Sequence, residues 1–354
     1  MDVRIGVIGI GNMGTPHSNN LQKGEVPGAK LTAVADIDPK RLEWAQENLG
    51  ESVARFDSAE AMMDSGEVDA VLIATPHYDH PPLVMTALQK GLHVLCEKPA
   101  GVYTKHVREM NEAAAKSDKV FAIMFNQRTE PVHRKVKELV ESGELGEIRR
   151  VNYIITTWLR TQHYYNSGGW RASWAGEGGG VLLNQCPHNL DLWQWICGMP
   201  ERIRAFCEFG KYHDIEVEDD VTAFAQYPNG ATGVFVTTTG EAPGCNRLEI
   251  VGDKGKLVLE YGKITLTKLN DSVTRIINEE KGFANGKPET VEVEVEPIKA
   301  AQHVLVMRQF VAAITGTGEL VAGGEEGINS LSLSNAMLLS AWTDQWVSLP
   351  VDEN

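Results

Sequence analysis

The sequence predicts an α/β domain with a parallel sheet over residues 1–125. An α+β domain with a large open, mainly antiparallel sheet is expected over residues 126–354. Three observations predict this. The first stretch alternates short aliphatic runs with longer amphipathic ones, the pattern of a parallel sheet covered on both faces. After Ile148 the apolar residues alternate with polar ones and hairpin signals separate the runs. The length, 354 residues, allows about two domains at roughly 150 residues each.

The elements follow in order. Val3–Ile8, Leu31–Ala35, Ala70–Ala74, His93–Cys96 and Val120–Met124 read as buried strands, being short, β-branched or aliphatic, and bounded by Gly, Pro or Asp. Lys40–Leu49, Leu83–Lys90 and Lys105–Lys116 carry helical patterns between them. In the second half, Arg149–Trp158, Arg202–Phe209, Val221–Tyr227, Ala231–Thr239, Leu248–Val251, Lys256–Leu259, Lys263–Leu269 and Thr290–Val295 read as strands. Tyr227-Pro228-Asn229-Gly230 places Asn-Gly between two of them, a hairpin signal, and Gly252-Asp253-Lys254-Gly255 reads as another turn. Pro131–Ser142, Leu183–Cys197, Ala300–Ile314 and Gly327–Trp346 read as helices.

Composition excludes several classes. Hydrophobic residues at 42% and charged residues at 23% describe a folded globular chain, not a disordered one. The formal net charge of −15 repels phosphate backbones and anionic headgroups, so neither nucleic acid nor a membrane surface is an expected partner. No apolar stretch approaches the roughly 18–20 residues of a membrane span. Met1-Asp2-Val3-Arg4 runs straight into an apolar strand without a signal-peptide pattern. The five cysteines are odd in number and form no C-x-x-C pair, so reduced thiols and a cytoplasmic location are expected.

The first strand runs directly into Gly9-Ile10-Gly11-Asn12-Met13-Gly14. In this G-x-G-x-x-G, Gly9 permits a tight turn, Gly11 admits a pyrophosphate to the backbone, and Gly14 allows close helix–strand packing. Asn12 and Met13 complete the turn. The second strand ends at Asp36, where an acidic residue is expected to bond the adenosine ribose hydroxyls. A carboxylate there repels a 2′-phosphate, and Ile37 follows where an Arg would be needed, so NAD is favoured over NADP. The other reading of Asp36 is that it only starts the turn Asp36-Ile37-Asp38-Pro39. Ligands in open α/β sheets bind at the carboxyl ends of strands. Thr75 and Pro76 are therefore expected at the cofactor, and His77 and His80 read either as catalytic groups or, in preference, as loop or cap residues near the nicotinamide half.

Glu97-Lys98-Pro99 follows the strand ending at Cys96. The same rule places Lys98 over the nicotinamide, and Pro99 restricts its backbone. A lysine there can steady an alkoxide; spacing alone leaves the ordinary surface lysine equally open. The second constellation runs from Gly178-Gly179-Gly180 through Asn184, Cys186-Pro187-His188 and Asp191. A helix beginning near Leu183 puts Asn184, His188 and Asp191 within about 60° of one another on one face. His188 suits a general acid/base; the alternative is a core histidine satisfied by Asp191. Metal-ligand spacing is absent, so no metal is expected.

Together these motifs resemble the Gfo/Idh/MocA oxidoreductases. The resemblance rests on Gly9-x-Gly11-x-x-Gly14, Glu97-Lys98-Pro99 and the Gly178–Asp191 stretch, and covers essentially the whole chain. It implies that Lys98 orients the reacting hydroxyl, that His188 accepts its proton, and that Asp191 orients His188. It implies further that Glu97, Gln127, Trp170 and Arg171 border the cofactor and that Arg128 lies near the substrate. Asn184 departs from the family pattern, in which Asp is common. The segment Trp158–Gly180 holds Trp158, Arg160, His163, Tyr164, Tyr165, Trp170, Arg171 and Trp174, a mixture that suits either a sugar ring or a subunit interface. His303 is a further candidate for the same pocket.

The expected activity is NAD-dependent oxidation or reduction of a secondary alcohol on a sugar, a glycoside at C3, or a cyclitol such as inositol. Two other readings stand beside it: a glycosidase working by transient C3 oxidation and elimination, and a non-catalytic dinucleotide-binding protein. A homodimer or homotetramer through the open sheet is expected by resemblance.

Overall fold

The computed structural model describes residues 2–284 and 286–351. The first elements are β1 (Val3–Ile8), α1 (Gly14–Gln22), β2 (Ala29–Ala35), α2 (Pro39–Asn48), β3 (Ala54–Phe56), α3 (Ala59–Asp64), β4 (Ala70–Ile73), α4 (His80–Gln89), β5 (His93–Cys96), α5 (Thr104–Ala114) and β6 (Phe121–Ile123). Then come α6 (Pro131–Glu141), β7 (Ile148–Ile155), α7 (Gln162–Asn166), α8 (Pro187–Cys197), β8 (Arg202–Phe209), β9 (Glu218–Gln226), β10 (Thr232–Thr238), β11 (Asn246–Gly252), β12 (Gly255–Glu260) and β13 (Lys263–Lys268). The last are α9 (Val273–Glu279), β14 (Glu289–Val293), α10 (Gln302–Ile314), α11 (Gly327–Thr343) and β15 (Val347–Ser348).

The chain forms two compact units, Met1–Thr129 with Lys299–Leu331, and Glu130–Ile298 with Ser332–Asn354. A single cut after residue 125 therefore misses a return of the chain to the first unit. The reason is apolar. Val304, Val306, Met307, Phe310 and Val311 of α10 are buried in one cluster with Val7, Leu31, Val34 and Leu72.

Among the described residues the first unit holds a six-stranded parallel sheet in the order β3-β2-β1-β4-β5-β6. This is the doubly wound order of a dinucleotide-binding fold, with its topological switch between β1 and β4. β1 and β5 lie where their aliphatic runs placed them. β3 and α3 carry too few residues for a periodic signal and were not expected.

Among the described residues the second unit holds a nine-stranded sheet in the order β14-β13-β12-β11-β7-β10-β9-β8-β15. Among the described residues only the β7–β10 pair of this sheet is parallel. Asn229-Gly230 turns β9 into β10, with Tyr227 N–H bonded to Ala231 at 2.9 Å and Gly230 at φ 84°. The inner face packs Ile203, Ala205, Val221, Ala223 and Phe235 against Leu190, Trp193 and Ile196 of α8. β9 begins at Glu218, three residues before its apolar alternation, because hydrogen bonds from Gly180 and Leu182 to Glu218, and from Lys211 and Tyr212 to Asp219, override poor strand propensity. Among the described residues no helix is long and apolar enough to cross a membrane.

Candidate active site

The glycine turn closes tightly at two positions and is open at the third. Gly9 sits at φ 84°, and a Cβ there would lie 2.8 Å from the Ala74 carbonyl oxygen. A Cβ on Gly14 would lie 1.8 Å from the Gly9 carbonyl oxygen. Nothing lies within 4 Å of the corresponding position on Gly11. The N-terminus of α1, just beyond Asn12 and Met13, has no side-chain cap. Backbone N–H groups and open space thus coincide where a pyrophosphate is expected.

Asp36 closes the turn from β2. Its Oδ2 accepts from Ile10 N at 2.7 Å and its Oδ1 from Asp38 N at 2.9 Å. Each oxygen keeps a further acceptor position, which suits ribose hydroxyls. Asp36 thus shapes the turn after β2 and faces the glycine loop. Thr75 follows β4, and its Oγ1 is buried without a protein partner. Pro76 beside it is exposed. These features fit a dinucleotide.

Lys98 stands half-buried just past the carboxyl end of β5, and its bond to Pro99 is cis. Around it the structure departs from several expectations. Glu97, expected at the cofactor, is 5% exposed, and its Oε1 pairs with His17 Nε2 at 2.7 Å. Burial pushes the Glu97 carboxyl up, but the His17 hydrogen bond and charge, with Lys98 and His303, outweigh this and hold it at about 2. His80 is also buried, with Nδ1 2.7 Å from the Pro99 carbonyl and Nε2 2.9 Å from that of Thr75. It clamps the two turns that follow β4 and β5, and burial holds its basicity down. Arg128, expected at the substrate, donates to Glu326 at 2.7 Å and lies over Phe125. Gln127 stays half-buried in the same short turn, Asn126–Thr129. His303, in the first turn of α10, sits 5.6 Å from His17, ring to ring, and burial lowers its basicity.

The second unit holds the other candidates. A π-helical turn over Val181–Gln185 precedes α8, which begins at Pro187. The continuous stripe of Asn184, His188 and Asp191 is therefore interrupted: Asn184 belongs to the π turn, and only His188 and Asp191 share α8. Proline in the first turn needs no N–H, so the chain resumes a helix there at no cost in hydrogen bonds. His188 is half-buried. Asp191 is 1% exposed and accepts from Gln194 Nε2 at 3.0 Å.

Two buried glutamates that the sequence reading passed over hold this segment. Glu218 accepts from Gly180 N at 2.9 Å and Leu182 N at 3.0 Å, capping the π turn. Burial pushes its carboxyl up to about 7 despite these bonds. A Cβ on Gly180 would lie 2.0 Å from the Glu218 carbonyl oxygen, so glycine is required. Glu177 accepts from Ala172 N at 2.7 Å and from the Asn184 amide. The only sequence signal was position: Glu177 precedes the triple glycine, and Glu218 opens an acidic triplet before an apolar alternation.

The loop aromatics are engaged by the loop's own cations. The Tyr164 hydroxyl accepts from Arg171 at 2.8 Å, and the Arg160 and Arg171 guanidiniums lie 5.0 and 4.7 Å from its ring. Arg171 also lies 4.7 Å from the Trp170 ring. His163 is exposed on α7.

Both halves of the chain are similar to known proteins. Residues 3–125 match the model of an oxidoreductase family with an NAD-binding Rossmann fold. Residues 133–258 match the GFO/IDH/MocA C-terminal domain. The chain is 30% identical to a myo-inositol 2-dehydrogenase of Thermotoga maritima, over 76% of this chain and 78% of that protein. It is 29% identical to an inositol 2-dehydrogenase of Rubrobacter xylanophilus, over 96% and 90%. Among solved structures, the WlbA dehydrogenase of Bordetella pertussis in complex with NADH and UDP-GlcNAcA superimposes with a TM-score of 0.82 at 26% identity, covering 99% of this chain and 100% of that one. With the open glycine turn, Lys98 at its strand end and family matches over both halves, the chain belongs to the Gfo/Idh/MocA family and is an NAD-dependent oxidoreductase acting on CH–OH groups.

Proposed function

We propose that the protein oxidises or reduces a secondary alcohol on a sugar, glycoside or cyclitol, with Lys98 and His188 acting on the reacting hydroxyl. The observation that carries this reading is the position of Lys98. It stands at the carboxyl end of β5, in the sheet whose first strand ends in a glycine turn open at Gly11. NAD held at the glycine turn and Asp36 would supply the hydride chemistry, and the chain's own residues handle the hydroxyl proton. Lys98 steadies the alkoxide that develops, and His188 takes the hydroxyl proton. Asp191, one helical turn from His188, orients it, and Asn184 bonds a substrate hydroxyl. The relatives that act on inositols, and a neighbour bound to a nucleotide sugar, support a polyhydroxylated substrate.

NADH formation, followed by absorbance across inositols, free aldoses, glucosides and anhydrosugars and repeated with NADP, tests the proposal. Turnover of at least one class with NAD is the expected result. Aglycone release without net NADH would instead mark the elimination chemistry of a glycosidase. Wild-type turnover in both Lys98→Ala and His188→Ala would sink the residue assignment.

We also place the protein in the cytoplasm as a homo-oligomer. None of the five cysteines is in a disulfide. The outer face of the second sheet exposes Phe206 (62%) and Phe224 (38%) on neighbouring strands, apolar area that a second copy would cover. Elution of the folded protein as a monomer in gel filtration would contradict the assembly.

A further inference from the structure

The first unit buries a titratable cluster that the proposed chemistry does not use. His17 is fully buried in α1, three residues past Gly14. Its Nε2 meets Glu97 Oε1 at 2.7 Å, and the other carboxylate oxygen, Oε2, accepts from Lys98 N at 3.2 Å. Glu97 is itself anchored to the sheet, its N–H bonded to the Ile73 carbonyl at 2.9 Å. One carboxylate therefore joins the helix that opens at the dinucleotide turn to the backbone of Lys98.

We infer that Glu97 and His17 are positioning residues, which set Lys98 in register with the glycine turn through a buried side-chain bond. The inference rests on the reading of Lys98 as the residue that meets the substrate hydroxyl. A buried carboxylate is costly unless it is paired, and an apolar pair of the same shape would serve packing equally well. What the polar pair adds is direction. A hydrogen bond fixes the distance and angle between α1 and the turn after β5, where an apolar contact would let them slide. Misplacement of a catalytic group by about 1 Å can cost on the order of 10²-fold in rate.

The pair also sets the local charge. Glu97 faces His17 from α1, His303 from α10, His80 from α4, and Lys98 and the buried Cys96 thiol on its own segment. A carboxylate there favours the ammonium form of Lys98. Removal of the charge makes Lys98 lose its proton at lower pH.

The test uses the holoenzyme with whichever polyol or glycoside gives NADH, and the variants His17→Leu, His17→Gln, Glu97→Gln and Lys98→Ala. Glutamine at 17 keeps an amide N–H able to reach Glu97; leucine does not. The expected result is a fall in kcat of about tenfold to 10²-fold in His17→Leu and Glu97→Gln, with NAD affinity by fluorescence titration nearly unchanged. His17→Gln recovers most of the turnover. In Glu97→Gln the alkaline limb of the kcat–pH profile moves to lower pH, which a packing role would not produce. Glu97→Gln is nearly isosteric, so it reports even if His17→Leu does not fold. Wild-type kcat with an unmoved pH profile in Glu97→Gln would overturn the inference, as would a His17→Gln enzyme as slow as His17→Leu. Full activity in Lys98→Ala would instead overturn the underlying assignment of Lys98.

Discussion

The two units hold their functional residues by different means. In the first, Lys98, Thr75 and the glycine turn follow directly on strands β5, β4 and β1, so a parallel sheet presents them along one edge. In the second, the Asn184 amide donates to Glu177, and the π turn that carries Asn184 is capped from β9 by Glu218, 36 residues past Leu182. A site built on strand ends inherits the rigidity of the sheet. A site built on a loop and a helix start depends on a few buried acceptors.

The carboxylates at the two places also differ in sign. Glu97 is held at about 2 by its basic neighbours, whereas Glu218 is pushed up to about 7 by burial that its N–H donors do not offset. Glu97 therefore contributes stability that is present above its ordinary value of 4.5 and lost as pH falls toward about 2. Glu218 contributes stability that is full below 4.5 and lost as pH rises through about 7.

The largest expected effect tests whether both places serve one reaction. Lys98→Ala and His188→Ala should each lower kcat by about 10²–10⁴-fold while leaving NAD affinity nearly intact. If only one of them matters, the comparison breaks. Next, Glu218→Ala strands the Gly180 and Leu182 N–H groups and should cost about 1–3 kcal/mol in urea unfolding, with activity falling in step. Glu218→Gln sharpens this. Its stability relative to wild type should improve as pH rises from about 4.5 to about 7, and a flat difference would refute the raised Glu218 carboxyl. Gly11→Ala is smaller. It meets no atom within 4 Å, so Tm should hold, while NAD binding weakens by on the order of tenfold, about 1.4 kcal/mol. Smallest, His163→Ala on the exposed face of α7 should change stability by less than about 0.5 kcal/mol.

Much of this arrangement was legible in the residues. The glycine turn, Asp36 and Lys98 could be read because their meaning is local: a strand, a turn and a helix start lie within a few residues of one another. The hairpin at Asn229-Gly230 was legible for the same reason. Other residues were legible by type but not by role. The family resemblance implied ligand contacts for Arg128 and Glu97; their partners, Glu326 and His17, lie 198 and 80 residues away. Asn184 looked like part of one helical stripe until the π turn set it apart from α8.

The sequence by itself determined the fold class and the dinucleotide turn, and its resemblance to a family nominated Lys98 and His188. Periodicity, glycine spacing and proline placement are short-range constraints on the backbone. Tertiary structure decided which charges are spent inside the protein. It turned Glu97 to His17, Arg128 to Glu326 and Glu218 to the π turn, and it returned α10 to the first unit. A buried charge or apolar face takes whichever partner the packed chain brings within about 3–4 Å, and separation along the sequence places no limit on that choice.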